Sequence, residues 1–270
     1  MSKNNYGLKM FQNDEIIDEK YKILKSLGVG ERAKIFLVLN AKTKEKNVLK
    51  VFSDLNNQDN IQRVNLTKMI DLVEIVDING FGKSGGKNYY TMPYKPCRSL
   101  YGTINTNSKI PVIKTSKEIN YILSFFRNII SHLVRNKLCW QFHPRHLMIL
   151  ETGKMFMTGL AYPLDDQKGV HFPDLTLGLM DECFPPELLR DNYCNPESYY
   201  QYTVAAILLS LLTGQLYSER NEEKMLSKIP KFNKTKRALI KALNINAQNR
   251  YQSFDEFYNH AKINSIFAFF

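Results

Sequence analysis

Residues 199–212 read Tyr-Tyr-Gln-Tyr-Thr-Val-Ala-Ala-Ile-Leu-Leu-Ser-Leu-Leu, apolar on nearly every side, and Thr213-Gly214 follows as a stop signal. A helix without a polar face does not lie on a surface. It sits in the middle of a large domain or crosses a membrane. The longest apolar run, Val204 to Leu212, falls well short of the roughly 20 residues that a spanning helix needs. Such a helix therefore demands a shell of other elements around it. At 270 residues the chain can supply that shell as one large domain or as two small lobes sharing an interface.

Composition agrees with a folded chain, at 44% hydrophobic and 23% charged residues. Cys97, Cys139, Cys183 and Cys194 lie far apart with no CxxC pair, so neither a disulfide framework nor a zinc ribbon is expected. The polar opening MSKNNYGLKMFQNDEIIDEK has no signal-peptide core, and the expected location is the cytoplasm, with export into another cell left open. A net charge of +11 would favour acidic partners, yet the lysines are scattered rather than blocked, as on an ordinary solvated surface. Neither nucleic acid nor a membrane is expected as a partner.

Along the chain, residues 1–19 lack periodicity and are expected to be a flexible N-terminal extension. Tyr21 to Phe52 reads as a meander of three strands, with turns at Gly28–Gly30 and Asn40–Lys46. Asp59 to Val73 has helical spacing at Ile61, Val64, Met69, Ile70 and Val73. Ile75–Phe81 and Asn88–Met92 return to strand composition, joined by a hairpin loop over Gly82–Lys87. Beyond Pro93 the signals are helical. Thr115 and Glu118 form a capping box before a stripe of Ile119, Ile122, Phe126, Ile129, Ile130, Leu133 and Val134, and Ser253 with Glu256 opens a last helix ending near Ile263. The fold class is α+β, with a small antiparallel sheet lobe carrying one helix over residues 20–94, a larger helical lobe over 95–265, and a tail at 266–270.

Several short motifs fall in one order along this plan. Leu27-Gly28-Val29-Gly30-Glu31-Arg32-Ala33 resembles the glycine-rich loop of protein kinases, with Ala33 in place of the third glycine. Val48-Leu49-Lys50-Val51-Phe52 resembles the V-A-I-K strand, Tyr89 to Tyr94 the strand and hinge between the kinase lobes, and Arg98-Ser99-Leu100 the start of the next helix. Gln141 to Leu150 aligns with the catalytic loop H-R-D-L-K-P-x-N-I-L, Met157 to Ala161 with D-F-G-L-A, and Pro185-Pro186-Glu187 with A-P-E. The resemblance runs from Tyr21 to Ile263 and implies a bilobal protein-kinase-like fold.

The same resemblance implies what each position would do. Gly28, Gly30, Ile35, Val48, Lys50, Met92, Pro93, Lys95 and Leu150 become candidate nucleotide-binding residues, with Val48 and Met92 narrowing the slot for a base. His143 stands at the catalytic aspartate, and Met148 and Met157 stand at the two metal-binding positions, so no metal and no orthodox catalytic residue are expected. Arg63 stands where the family has the glutamate that pairs with Lys50; Asp59, one turn earlier, is the substitute the sequence offers. Gln141, Phe142, Thr158 and Tyr200 replace further internal residues of the family, while Glu187 and Arg250 match its structural ion pair.

Phosphoryl transfer needs metal ions to bridge the phosphates and a positioned acceptor for the substrate hydroxyl. A thioether suits Mg²⁺ poorly, because that ion demands hard oxygen donors. The expectation is a pseudokinase that acts as a scaffold or allosteric regulator of another protein, for instance an active kinase. The expected cofactor is none, with ATP or another nucleotide bound without Mg²⁺ as the open variant. The alternative is an atypical nucleotide-dependent kinase or nucleotidyl transferase that uses Asp165, Asp166 or Asp174.

Overall fold

A computed structural model describes residues 13–29, 33–52, 57–106, 112–172, 183–229 and 232–263. Gly30 and Asp174, both singled out above, lie outside the described residues, as does the tail at 266–270. The chain divides into two compact units, one holding residues up to Asp71 with Val76–Pro96, the other Leu72–Ile75 with the chain from Cys97 onward. The division thus falls two residues beyond the expected boundary and transfers Leu72–Ile75 to the second unit.

The first unit contains β1 (Ile16–Ile17), β2 (Tyr21–Val29), β3 (Ala33–Asn40), β4 (Lys46–Phe52), α1 (Asn57–Lys68), β5 (Gly80–Ser84) and β6 (Lys87–Pro93). Its strands pair antiparallel in the order β1-β2-β3-β4-β6-β5. The sheet curls strongly: Tyr21 of β2 meets Tyr89 of β6 ring to ring at 6.0 Å, although two strands separate them in the sheet. Ile17, Tyr21, Ile23, Phe36, Val38, Leu49, Val51 and Tyr89 fill the interior of that curl. Because side chains alternate along a strand, β4 sends Asn47, Leu49 and Val51 inward and leaves Val48 and Lys50 half-buried on the opposite face.

Four expectations over this part of the chain need correction. Residues 13–19 are not a loose extension: Asp14 N–H donates to Ile23 O at 2.9 Å, and Ile17 is fully buried in the core. The fourth expected strand begins at Gly80, not Ile75, since Val76 and Ile78 are apolar for packing and carry no ladder. The expected loop over Gly82–Lys87 shrinks accordingly to a tight turn at Gly85-Gly86, both at positive φ, where a residue without a Cβ is favoured. Met69 and Val73, read as part of an apolar stripe, lie past the end of α1 and are 78% and 90% exposed.

The second unit contains β7 (Cys97–Ser99), α2 (Leu100–Thr106), α3 (Ser116–Arg135), β8 (Leu138–Trp140), β9 (Leu147–Leu150), β10 (Met155–Met157) and β11 (Ala161–Pro163). It continues with α4 (Pro186–Asp191), α5 (Pro196–Thr213), α6 (Glu222–Ser227), α7 (Asn233–Ala242) and α8 (Phe254–Ala261). Its strands form two small sheets, β10-β9-β7 and β11-β8.

α5 is the central helix of this unit. Asn195 caps its start, Pro196 occupies the first turn, every residue from Ser198 to Thr213 is buried, and Gly214 closes it at φ 65°. Two of its polar side chains are satisfied within the helix: Ser210 Oγ and Thr213 Oγ1 donate to the carbonyls of Ala206 and Leu209, each at 2.8 Å. Gln201 both donates to Tyr251 O and accepts from Tyr251 N–H, at 2.9 Å each. α3 carries the capping box of Thr115 and Glu118, and buries its apolar stripe except Val134, which is exposed. The last helix ends at Ala261, two residues early. Among the described residues no helix is long and apolar enough to cross a membrane.

Candidate functional site

Sheet register assembles the candidate residues of the first unit. Gly28, Ile35, Lys50 and Tyr90 are partners in one row across β2, β3, β4 and β6, and Leu37, Val48 and Met92 form a row two residues along. Both rows lie on the face opposite the buried Leu49 and Val51. Gly28 sits inside β2 with open space where a Cβ would be, so it leaves the backbone of that row uncovered. Pro93 ends β6 opposite Asn47, Tyr94 N–H donates to Lys46 O at 3.2 Å, and Lys95 is exposed just beyond.

Lys50 has the most altered chemistry of this row. Its side chain is half-buried, with Nζ 5.9 Å from the centre of the Tyr90 ring. Burial, reinforced by the Arg63 guanidinium, pulls its ammonium down to about 8. Tyr90, unassigned by the sequence reading, is 1% exposed and packs on Phe52 at 5.6 Å, so it fills the row beside the lysine.

In the second unit, the loop between β8 and β9 carries Phe142 and His143. Tyr199 of α5 anchors it. Its hydroxyl accepts from Phe142 N–H at 3.0 Å and donates to Trp140 O at 3.1 Å. Burial holds the Tyr199 phenol far above its ordinary range, so it stays a donor. The resemblance pointed one residue too far, to Tyr200, and a tyrosine hydroxyl does the tethering. Phe142 is fully buried among Phe126, Tyr199 and Tyr200, with ring centres 5.2, 6.5 and 5.4 Å away.

His143 is built as a neutral, structural imidazole. Its Nδ1 accepts from Arg145 N–H at 3.1 Å, and its carbonyl accepts from His146 N–H at 2.8 Å, closing a tight turn. Burial, with Arg145 nearby, lowers its pKa to about 4. With the Nδ1 lone pair taken up by Arg145 N–H, the neutral ring carries its proton on Nε2 and has no lone pair left for a substrate proton. The Phe184 and His146 rings flank it at 6.1 and 5.6 Å. Phe184 belongs to the short segment before α4 and went unassigned by sequence.

Met148 and Met157 lie on the hairpin of β9 and β10, opposite Phe156 and Leu147. Met157 is fully buried, its N–H donating to Glu74 O at 2.7 Å, so its thioether is a packing group. Thr158 N–H and Oγ1 both donate to His146 O, at 2.8 and 3.2 Å. Gly159 follows at φ 119°, a conformation that favours glycine, with the Trp140 and His146 rings against it. Leu150 is half-buried at the end of β9, opposite Cys97.

Met148 and Met157, which the resemblance puts at the two metal-binding positions, are thioethers and offer Mg²⁺ no hard oxygen. Among the described residues no cluster of three or more histidines, cysteines, aspartates or glutamates could hold a metal. Asp165 caps a surface turn by accepting from Gln167 and Lys168 N–H, at 2.8 Å each, and these bonds lower its pKa. Asp166 is exposed and ion-paired to Lys137 at 3.0 Å.

No family model and no curated protein matches the sequence. Solved structures do match. The Mycobacterium tuberculosis PknI kinase domain superposes at a TM-score of 0.69 and 14% identity, over 93% of this chain and 98% of that one. A double-substitution variant of that domain gives 0.70 at 15%, and a single-substitution variant 0.69 at 16%, over the same shares. The chain has the protein-kinase fold. Within that fold the β8–β9 loop and the β9–β10 hairpin occupy the stretches aligned above with the catalytic loop and D-F-G, and α5 is the buried helix whose Tyr199 anchors the loop. Identity this low carries architecture and leaves chemistry to the side chains.

Proposed function

We propose that this chain is a kinase-fold binding module, a pseudokinase that scaffolds or allosterically regulates another protein and transfers no phosphate. One observation carries the reading: His143, Met148 and Met157 stand where three oxygen donors would be needed. General-base catalysis typically contributes about 10²–10⁴-fold, and a histidine whose one acceptor nitrogen is already hydrogen-bonded offers none of it. Loss of metal ligands also removes the charge stabilisation on which phosphoryl transfer depends.

The face holding Gly28, Ile35, Val48, Lys50 and Met92 supports nucleotide binding without Mg²⁺ as an accessory property, with the Pro93 carbonyl and the Lys95 N–H as hinge-type partners. The partner protein is the principal ligand, and an active kinase is one candidate. Asp165 and Asp166 are engaged in a turn and a surface ion pair, which gives no support to an enzyme built on displaced acids.

Purified protein incubated with radiolabelled ATP, Mg²⁺ or Mn²⁺, and generic protein substrates should give no phosphate incorporation above the Lys50→Ala background. Robust transfer that requires Lys50 contradicts the proposal.

A further inference from the structure

The chain's positive charge is concentrated in one stretch. Residues 224–254 hold eight lysines and arginines and no aspartate or glutamate, while the other 239 residues hold 29 cations against 26 carboxylates. The lysines that look scattered along the sequence thus leave eight of the net +11 charges in 31 residues. Arg250 is spent in its buried pair with Glu187. α7 lies within this stretch and carries Lys234, Lys236, Arg237 and Lys241 with no acidic residue.

Helical spacing sorts these residues by face. Thr235, Ala238, Leu239 and Ala242 are buried, and α7 packs against α5 and α8. The opposite face carries Lys234, Arg237, Ile240 and Lys241, all exposed, with half-buried Lys236 at its edge. Ile240 is 46% exposed and falls between Lys236 and Arg237 around the helix, and Ile245, 71% exposed, follows in the turn beyond. Lys234 donates to the Lys262 carbonyl at 2.7 Å, which leaves its charge unbalanced, and Lys241 reaches Glu256 only at 3.9 Å. Among the described residues Lys236 and Arg237 have no ion pair.

We propose that the outer face of α7 docks an acidic amphipathic segment of a partner protein, whose carboxylates pair with Lys236, Arg237 and Lys241 and whose apolar side chain covers Ile240. Charge complementarity sets the sign of the partner, and the isoleucine sets its kind. A membrane surface fits poorly, because the apolar stripe of α7 is already used inside the unit and leaves one isoleucine on the helix to enter a bilayer. Single-stranded RNA fits poorly too, because α7 has no aromatic residue for a base to stack on, and the Tyr251 ring beneath Lys241 is 7% exposed. The inference rests on the reading of the chain as a binding module and gives that module's partner a chemistry.

The test titrates the full chain into a fluorescein-labelled helical peptide of glutamate and leucine, and into a second peptide with serine in place of each leucine. Binding of the first should weaken steeply with salt. Lys236→Glu with Arg237→Glu should weaken it by about tenfold or more, and Ile240→Ser by about fivefold for the leucine peptide alone. Lys42→Glu with Lys44→Glu makes the same change in net charge on the exposed turn between β3 and β4, and should leave the affinity within about twofold. Melting temperatures check that every variant folds. No binding, equal losses in the two double variants, or an affinity indifferent to Ile240→Ser overturns the proposal. So does tighter binding of single-stranded RNA or phosphatidylserine vesicles, or dimerisation of the chain that the Lys236 and Arg237 reversal abolishes. Phosphate incorporation measured on the same protein separates the two failures: transfer that requires Lys50 sinks the binding-module reading, whereas an absent peptide complex without transfer sinks the α7 surface alone.

Discussion

Arg250 and Glu187 form a two-point ion pair, NH1 to Oε1 at 2.7 Å and NH2 to Oε2 at 3.0 Å, with the arginine side chain fully buried. Ser198 joins both partners: its Oγ donates to Glu187 at 2.7 Å and accepts from Arg250 at 2.7 Å. The guanidinium also lies over the Tyr202 ring at 4.7 Å and donates through Nε to Asn244 O at 2.8 Å. Glu187 thereby ties α4 to the base of α5 and to the turn before α8.

Breaking this pair from one side strands a buried charge. Glu187→Ala should cost about 3–5 kcal/mol in denaturant-midpoint measurements, because Arg250 keeps its charge and loses its best acceptor. Replacing both residues with apolar ones of similar size should cost less than the two single changes summed, which a double-mutant cycle would show.

Tyr199→Phe removes the hydroxyl that bridges Phe142 N–H and Trp140 O. The ring packing survives, but two backbone groups lose their partner, at a cost of about 1–3 kcal/mol. Hydrogen exchange at Phe142 should quicken well beyond the change at distant amides. Equal exchange across the chain would mean the hydroxyl does not anchor this loop.

His143 makes stability depend on pH with a definite sign. Its folded pKa, about 4, lies below its ordinary value of 6.5. Below about pH 6.5 the unfolded chain therefore gains a proton that the folded chain refuses. The contribution is complete above pH 6.5 and drains away down to about pH 4, up to about 3 kcal/mol in all. His143→Gln should flatten this part of the profile, and comparing the two proteins isolates it from carboxylates that titrate in the same window.

Thr115 and Glu118 bond reciprocally at the start of α3, where Glu118 Oε2 accepts from Thr115 N–H at 2.8 Å and Thr115 Oγ1 accepts from Glu118 N–H at 3.2 Å. Thr115→Ala should destabilise the chain by about 1 kcal/mol, and Thr115→Ser should restore most of it.

Much of this architecture was legible because its signals are local. The capping box at Thr115, the proline and glycine that bracket α5, and the alternation that puts Val48 and Lys50 on one face are each set within a few residues. What escaped is set by distant contacts. Ile16–Ile17 is too short to show a period, and is a strand only because β2 returns beside it. Val76 and Ile78 look like strand residues because burial, not pairing, made them apolar. The anchoring of the catalytic-type loop by Tyr199 joins residues 57 and 59 positions apart, which no local pattern announces. The Phe184 ring meets His143 across 41 positions of chain, and no local pattern announces a contact of that separation.

The central claim concerns what Met148 and Met157 cannot do. Melting temperature measured with ATP at saturating concentration, once in EDTA and once in Mg²⁺, tests it most directly. The account predicts the same melting temperature in both, whether or not ATP itself stabilises the protein. A stabilisation that appears only with Mg²⁺ present would show that the site holds a metal–nucleotide complex, and would contradict the account.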